Sequence, residues 1–262
     1  MTSSSGARGT TLTLTPAGGA APYRQQWLAQ TRMEVGLLAR NGEQLLLTIV
    51  IPTVVLVLFA KTSVADIPKP RVDFLVPGVL ALAVMSTAFT GQAIATGFER
   101  RYGVLRRLGT TPMPRGVLLL AKTTAVTAIE VAQVALLVVV GFALGWSPHG
   151  NPAEVVALLL LGTAAFSGLG LLLAGILRAE ATLAAANLIY LLLLVLGGVV
   201  FPLTDFSPAV RHILEQLPIS ALTNGLRSVL RHDDHVSAHD WLVLAGWAVG
   251  SIAVASRTFR WE

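Results

Sequence analysis

Cysteine is absent from the 262 residues, so neither a disulfide framework nor a thiolate metal site or nucleophile is available to this chain. Charge is scarce as well, at 13% of residues against 54% hydrophobic, and the mean hydropathy is +0.70. A soluble domain seldom tolerates that balance, which belongs to a membrane protein. Only three lysines occur, Lys61, Lys69 and Lys122. Lys61 and Lys122 precede threonine, but neither follows the glycine pattern a phosphate-cradling loop needs, and Lys69 precedes proline. The chain therefore carries no ATPase of its own. No G-x-S-x-G elbow appears either, and the sequence names no catalytic residue.

What the sequence has in quantity is long apolar blocks, of roughly the 17–25 residues that cross a hydrocarbon core. Six are read, at about 44–60, 74–97, 116–145, 153–177, 181–201 and 241–256. Residues 1–23 are too polar for a signal peptide and read as a disordered cytoplasmic tail ahead of one membrane domain, 24–262. The net charge of +5 does not point to nucleic acid, because an excess of arginine in such a chain reflects loop topology. Counted over alternate loops, twelve Lys and Arg fall on the side of the termini and six on the other, with Lys122 inside a span. Both termini are thus expected in the cytoplasm of a multi-pass inner-membrane protein.

The stretch "FERRYGVLRRLGTTPMPR", 98–115, joins the second and third blocks and holds five arginines with a single acid. Phe98, Tyr102, Leu105 and Leu108 recur at helical spacing, while Arg100, Arg101, Arg106 and Arg107 lie largely off that stripe. This predicts a short amphipathic helix over 99–108, ended by Gly109 to Pro112. The order of Glu99, then Gly103, Val104 and Leu105, then Leu108, then Pro112 resembles the second-to-third cytoplasmic loop of type 2 ABC exporter permeases, including daunorubicin-resistance-like permeases. In that family the loop is a coupling helix seated on the nucleotide-binding subunit. The resemblance implies that Glu99, Arg100, Arg101, Tyr102, Gly103, Leu105, Arg106, Leu108 and Pro112 receive ATP-driven motion. It also implies a separate ABC ATPase subunit carrying ATP and Mg, no cofactor in this chain, and a homodimer or a heterodimer with a second permease.

Two further stretches agree with the resemblance. "YRQQWLAQTRMEVGLLARNGEQLLLTIVIP", from Tyr23, reads as an interfacial helix leading into a proline-bearing first span, with Leu28, Val35 and Leu38 toward the bilayer and Arg24 and Arg32 in water. The segment 203–230 is too proline-broken to span yet too apolar for a solvated loop. Similar exporters place paired re-entrant helices here, which makes Phe201, Pro202, Leu217, Pro218 and Leu222 candidates for an outer gate; loop packing with no gating role is the alternative.

Polar groups inside spans are costly and stand as functional candidates. Glu130 is the most conspicuous, with Gln133 one turn on and Gln92 and Asn187 elsewhere. These groups either line a path or bond between helices. His235 and His239, at i, i+4, could share a metal, but the zinc-protease spacing is missing, and a solvated loop explains them. Gly141 and Gly145 form a G-x-x-x-G, a weak indication of a dimer face. The expected architecture is an all-α polytopic membrane protein with six transmembrane helices, an interfacial helix, a coupling helix and re-entrant extracellular helices. The expected function is export of a lipophilic drug, antibiotic or lipid-like substrate. An ion-coupled secondary transporter centred on Glu130 is the alternative, and a non-enzymatic membrane scaffold comes third.

Overall fold

A computed structural model of the chain describes residues 20–62 and 68–258, and among these it is built from helices. The tail expected to be disordered falls largely on residues 1–19, outside the described residues. The helices are α1 (Tyr23–Arg40), α2 (Gly42–Lys61), α3 (Arg71–Val84), α4 (Gln92–Arg101), α5 (Val104–Leu108), α6 (Arg115–Ala143), α7 (Pro152–Ile176), α8 (Ala179–Leu196), α9 (Pro208–Leu214), α10 (Pro218–His232) and α11 (Ala238–Thr258). A π-helical segment, Met85–Gly91, joins α3 to α4 into one continuous rod, Arg71–Arg101.

Among the described residues, five helices are long and apolar enough to cross a membrane: that rod, Arg115–Ala143, Pro152–Ile176, Ala179–Leu196 and Ala238–Arg257. In α2 the apolar helix found among the described residues is the shorter Thr48–Lys61. Lipid offers a backbone no hydrogen-bond partners, so a helix that satisfies its own amides is the economical form for such runs. Proline starts several of them where its missing N–H costs nothing. Pro152, Pro208 and Pro218 open α7, α9 and α10, and Asn151 Oδ1 accepts from Ala153 N at 2.9 Å. At α11, Ser237 and Asp240 cap one another: Asp240 N donates to Ser237 Oγ at 3.1 Å and Ser237 Oγ to Asp240 Oδ2 at 2.7 Å.

The α3–α4 rod is the hub. Some 83% of its apolar window is buried within the chain, against 22% for α8, so the rod is surrounded by protein and α8 turns its apolar surface outward. Leu75, Val79, Leu82 and Met85 sit in the main core with Leu56 of α2, Leu137 of α6, Phe166 of α7 and Leu222 of α10. Gly170 of α7 permits a close approach to the rod. A Cβ there would stand 2.8 Å from the Phe89 carbonyl, in the π segment whose hydrogen bonding departs from the α pattern.

The element boundaries differ from expectation in three places, each with a local cause. The second span runs on to Arg101 because no residue before Gly103 stops the helix. Gly103 takes φ 70, a left-handed turn, so the single amphipathic helix expected over 99–108 is instead the end of α4 and the separate five-residue α5. The fifth span stops at Leu196 rather than 201, since Gly197 caps it and Gly198 turns at φ 73. The G-x-x-x-G pair is consumed within the chain: Gly141 packs on Trp146 and Val76, and Gly145, at φ 88, lies past the end of α6.

Candidate functional site

At one end of the bundle the second-to-third loop is fastened to its surroundings by three different kinds of contact. Arg100, near the end of α4, donates to the carbonyls of Gly175 at 2.7 Å and Leu177 at 2.5 Å, the orphan acceptors at the end of α7. Leu105 of α5 is completely buried, in a small cluster with Leu118 and Leu119 of α6, Leu171 of α7 and Ala255 of α11, against which Leu108 and Met113 also pack. Glu99 turns inward to a buried ammonium, with Lys122 Nζ donating to Glu99 Oε2 at 2.6 Å.

That ammonium has a second partner. Lys122 Nζ also lies 2.9 Å from Glu34 Oε1 and 3.0 Å from Glu34 Oε2, and Gln30 Nε2 donates to Glu34 Oε1 at 2.8 Å. The side chains of Lys122 and Glu34 are only 3% and 7% exposed, so this is a desolvated triad rather than a surface pair. It ties α1, α4 and α6 at one point. The face that α1 turns to α6 is therefore polar, built on Gln30, Glu34 and Trp27, whose indole Nε1 donates to Thr124 Oγ1 at 3.2 Å. Leu28, Met33 and Leu37 are left on the outside, where a membrane interface would suit them.

The expected coupling residues thus divide by direction. Glu99, Arg100 and Leu105 hold the loop to the bundle. Arg101, Tyr102, Arg106 and Pro112 face outward, with Tyr102 68% exposed and stacked on Phe98. Arg101 pairs with Glu180 of α8. Arg107 and Arg115 of the same stretch are exposed as well.

Deeper in the bundle the polar candidates part company. Gln133 bridges three elements, accepting from Thr87 Oγ1 of the π segment at 2.8 Å and donating to the Thr48 carbonyl of α2 at 2.6 Å. Gln92 accepts from Ser167 Oγ at 2.9 Å, joining α4 to α7. Glu130 accepts from Thr163 Oγ1 at 2.5 Å and is buried between α6 and α7. These three bond between helices. Asn187 is different: it is exposed, and with Ser86, Thr90 and Tyr190 it lines a cavity of about 470 Å³ bounded by α2, the π segment, α4 and α8. Ile51, Ile94, Phe98 and Leu183 make up its apolar wall. The hydroxyls of Thr90 and Tyr190 are buried there without a hydrogen-bond partner.

At the opposite end lie the gate candidates. Phe201 is exposed, Pro202 and Leu217 are half-buried, and Pro218 and Leu222 are buried. A Cβ on Gly162 of α7 would meet Leu222 at 2.8 Å, so α10 is wedged tightly against that helix. Segment 203–230 is broken into a 3₁₀ turn, Leu203–Asp205, then α9 and α10. Ile219, Leu226, Val229 and Leu230 of α10 are buried, whereas Ile213 of α9 is 68% exposed. His235 and His239 are engaged separately. His235 Nδ1 lies 2.9 Å from Glu154 Oε1, and that hydrogen bond, with the carboxylate's charge behind it, raises the imidazole pKa. His239 meets Gln216 at 3.2 Å. Among the described residues no three His, Cys, Asp or Glu side chains gather as a metal site.

The family profile of the ABC-2 type transporter matches residues 24–230, from the start of α1 to the end of α10. The chain belongs to that family. It is a permease of the type 2 ABC transporters, hence a multi-pass membrane protein and a transport subunit that lacks a nucleotide-binding motif, and the family implies an ABC ATPase as its partner. A comparison with curated proteins finds no match. Of the permease's buried charges, Glu34 escaped the sequence reading. Its one visible signal was an acid on an otherwise basic and apolar interfacial helix, and its partner stands 88 residues away.

Proposed function

We propose that this permease exports an amphiphilic substrate, a lipophilic drug, antibiotic or lipid, powered by ATP hydrolysed on a separate subunit. Six spans, formed by α2, the α3–α4 rod, α6, α7, α8 and α11, have both termini in the cytoplasm, and α9 and α10 dip into the outer leaflet. Two such bundles, identical or similar, enclose the path. The apolar outer face of α8, with Leu188, Leu191, Leu192 and Val195, then meets lipid or the second bundle.

The observation that supports this reading most is the fastening of the α4–α5 loop. A push on the exposed Arg101, Tyr102 and Arg106 does not dissipate in a loose loop. It reaches α7 through Arg100, α6 and α1 through Glu99 and Lys122, and α11 through Leu105. Nucleotide binding by the partner would favour one arrangement of these helices over another, and that difference in binding free energy drives transport. The 470 Å³ cavity has the makings of a substrate site, with apolar walls and a few placed hydroxyls and amides. Glu130 does not line it, which leaves an ion-coupled mechanism without a supporting observation.

The test is stimulated ATP hydrolysis by the permease purified with its ATP-binding partner in liposomes, with a fluorescent lipophilic amine and a fluorescent phospholipid as probes. Stimulation by at least one probe is expected. Asn187→Trp, which fills the cavity from an exposed position, should abolish it while basal hydrolysis persists. Stimulation that survives this substitution would remove the cavity from the path.

A further inference from the structure

At the end of the bundle away from Lys122, a second cavity of about 260 Å³ lies between the start of α3, the 3₁₀ turn, α9 and α10. Its charged lining is three arginines, Arg211, Arg227 and Arg231, against one acid, Glu215. Glu215 is already engaged by Arg211 at 2.7 Å across one helical turn. Arg227, 7% exposed, has no carboxylate partner among the described residues. It donates instead to three carbonyls: Nε to Phe74 at 3.2 Å, Nη1 to Gly198 at 2.6 Å and Nη2 to Val199 at 2.8 Å. Arg231 has none either among the described residues, and its hydrogen bond goes to the Lys69 carbonyl at 3.2 Å. Both guanidiniums sit over one ring, with Arg227 Cζ 3.6 Å and Arg231 Cζ 5.4 Å from the centroid of Phe74.

Two cations sharing one aromatic ring are poorly compensated. Ring attraction is weaker than the penalty for burying a charge with no counter-ion. The dipole of α10 accounts for Arg231 and His232, which stand in its last turn, but not for Arg227 a turn earlier. Arginine also retains its charge at any biological pH, so the site cannot neutralise itself. A guanidinium has five N–H donors, and the three carbonyls leave two on Arg227.

We propose that this cavity binds a phosphate-type oxyanion, held by Arg227 and Arg231 with Arg211 at the rim. Planar guanidinium forks match phosphate oxygens in pairs, and Phe74, Pro202 and Leu203 offer an apolar wall to whatever carbon the phosphate carries. The anion is either free phosphate or the headgroup of an acidic lipid, and the two share this chemistry.

The experiment takes the full chain in two settings. In phosphatidylcholine nanodiscs, inorganic phosphate is titrated by calorimetry at low salt. In vesicles of equal parts phosphatidylcholine and phosphatidylglycerol, native mass spectrometry reads whether phosphatidylglycerol is retained preferentially. Binding in the first setting assigns free phosphate, and retention in the second assigns the lipid headgroup. In either case Arg211→Gln/Arg231→Gln, which spares the three carbonyl bonds of Arg227, should weaken it by roughly tenfold or more. The corresponding double lysine variant should restore only part of that loss. Absence of binding in both wild-type settings overturns the proposal. So does binding that the double glutamine variant leaves undiminished.

Discussion

Lys122 is the residue on which the end of the bundle that carries the α4–α5 loop converges, since one ammonium serves carboxyl groups from α1 and α4. Replacing it removes the shared partner of both. Lys122→Met is expected to cost about 3–5 kcal/mol of stability, because two buried carboxyl groups are left facing each other without a cation. Glu34→Gln should cost less, as the Glu99 pair at 2.6 Å survives it. Denaturant unfolding in detergent of the two variants and their double measures the difference, and a strongly non-additive cycle is the expected outcome. How much of this was legible varies by residue. Glu99 announced itself through its motif and Lys122 as a charge inside a span, but neither sequence signal gives direction. That Glu99 points at Lys122 depends on the helical phase of a rod that continues to Arg101, and Glu34 is brought in only by tertiary packing of α1 on α6.

Among the elements, the turn at Gly103 decides how the loop presents its two faces. Nothing lies within 4 Å of a Cβ placed there, so the cost of a side chain is purely that of the left-handed backbone at φ 70. Gly103→Ala is expected to destabilise by about 1–2 kcal/mol, and Gly103→Asn by less, since asparagine enters that region more readily. Thermal unfolding of both variants checks the ranking. Equal losses would mean the turn relaxes to another conformation. The helical spacing of Phe98, Tyr102, Leu105 and Leu108 suggested one continuous helix with all four on a single stripe; a single glycine overrides periodicity that short, leaving Leu105 buried and Tyr102 exposed. The π segment, Met85–Gly91, left no trace in the sequence pattern. Within it the Phe89 carbonyl stands where Gly170 of a distant helix leaves room. Of the α1 residues expected toward the bilayer, Leu28 is exposed, Val35 is half-buried and Leu38 packs against the main core, while the inward face is set by a buried ion triad that the apolar spacing does not reveal.

At the scale of the whole molecule, the apolar blocks and the family match agree on a helical permease, and the described residues arrange it around the α3–α4 rod. The loop at one end is anchored inside and bare outside, and the account stands on the claim that its bare side is seated on the ATPase subunit. The most direct measurement places a photoreactive side chain at Tyr102, which is 68% exposed, and one at Leu105, which is completely buried, with the permease produced alongside its ATP-binding partner. The account predicts a covalent adduct between the partner and the chain labelled at position 102, and none from position 105. Adducts at position 102 with lipid alone, while the two proteins still purify together, would contradict it.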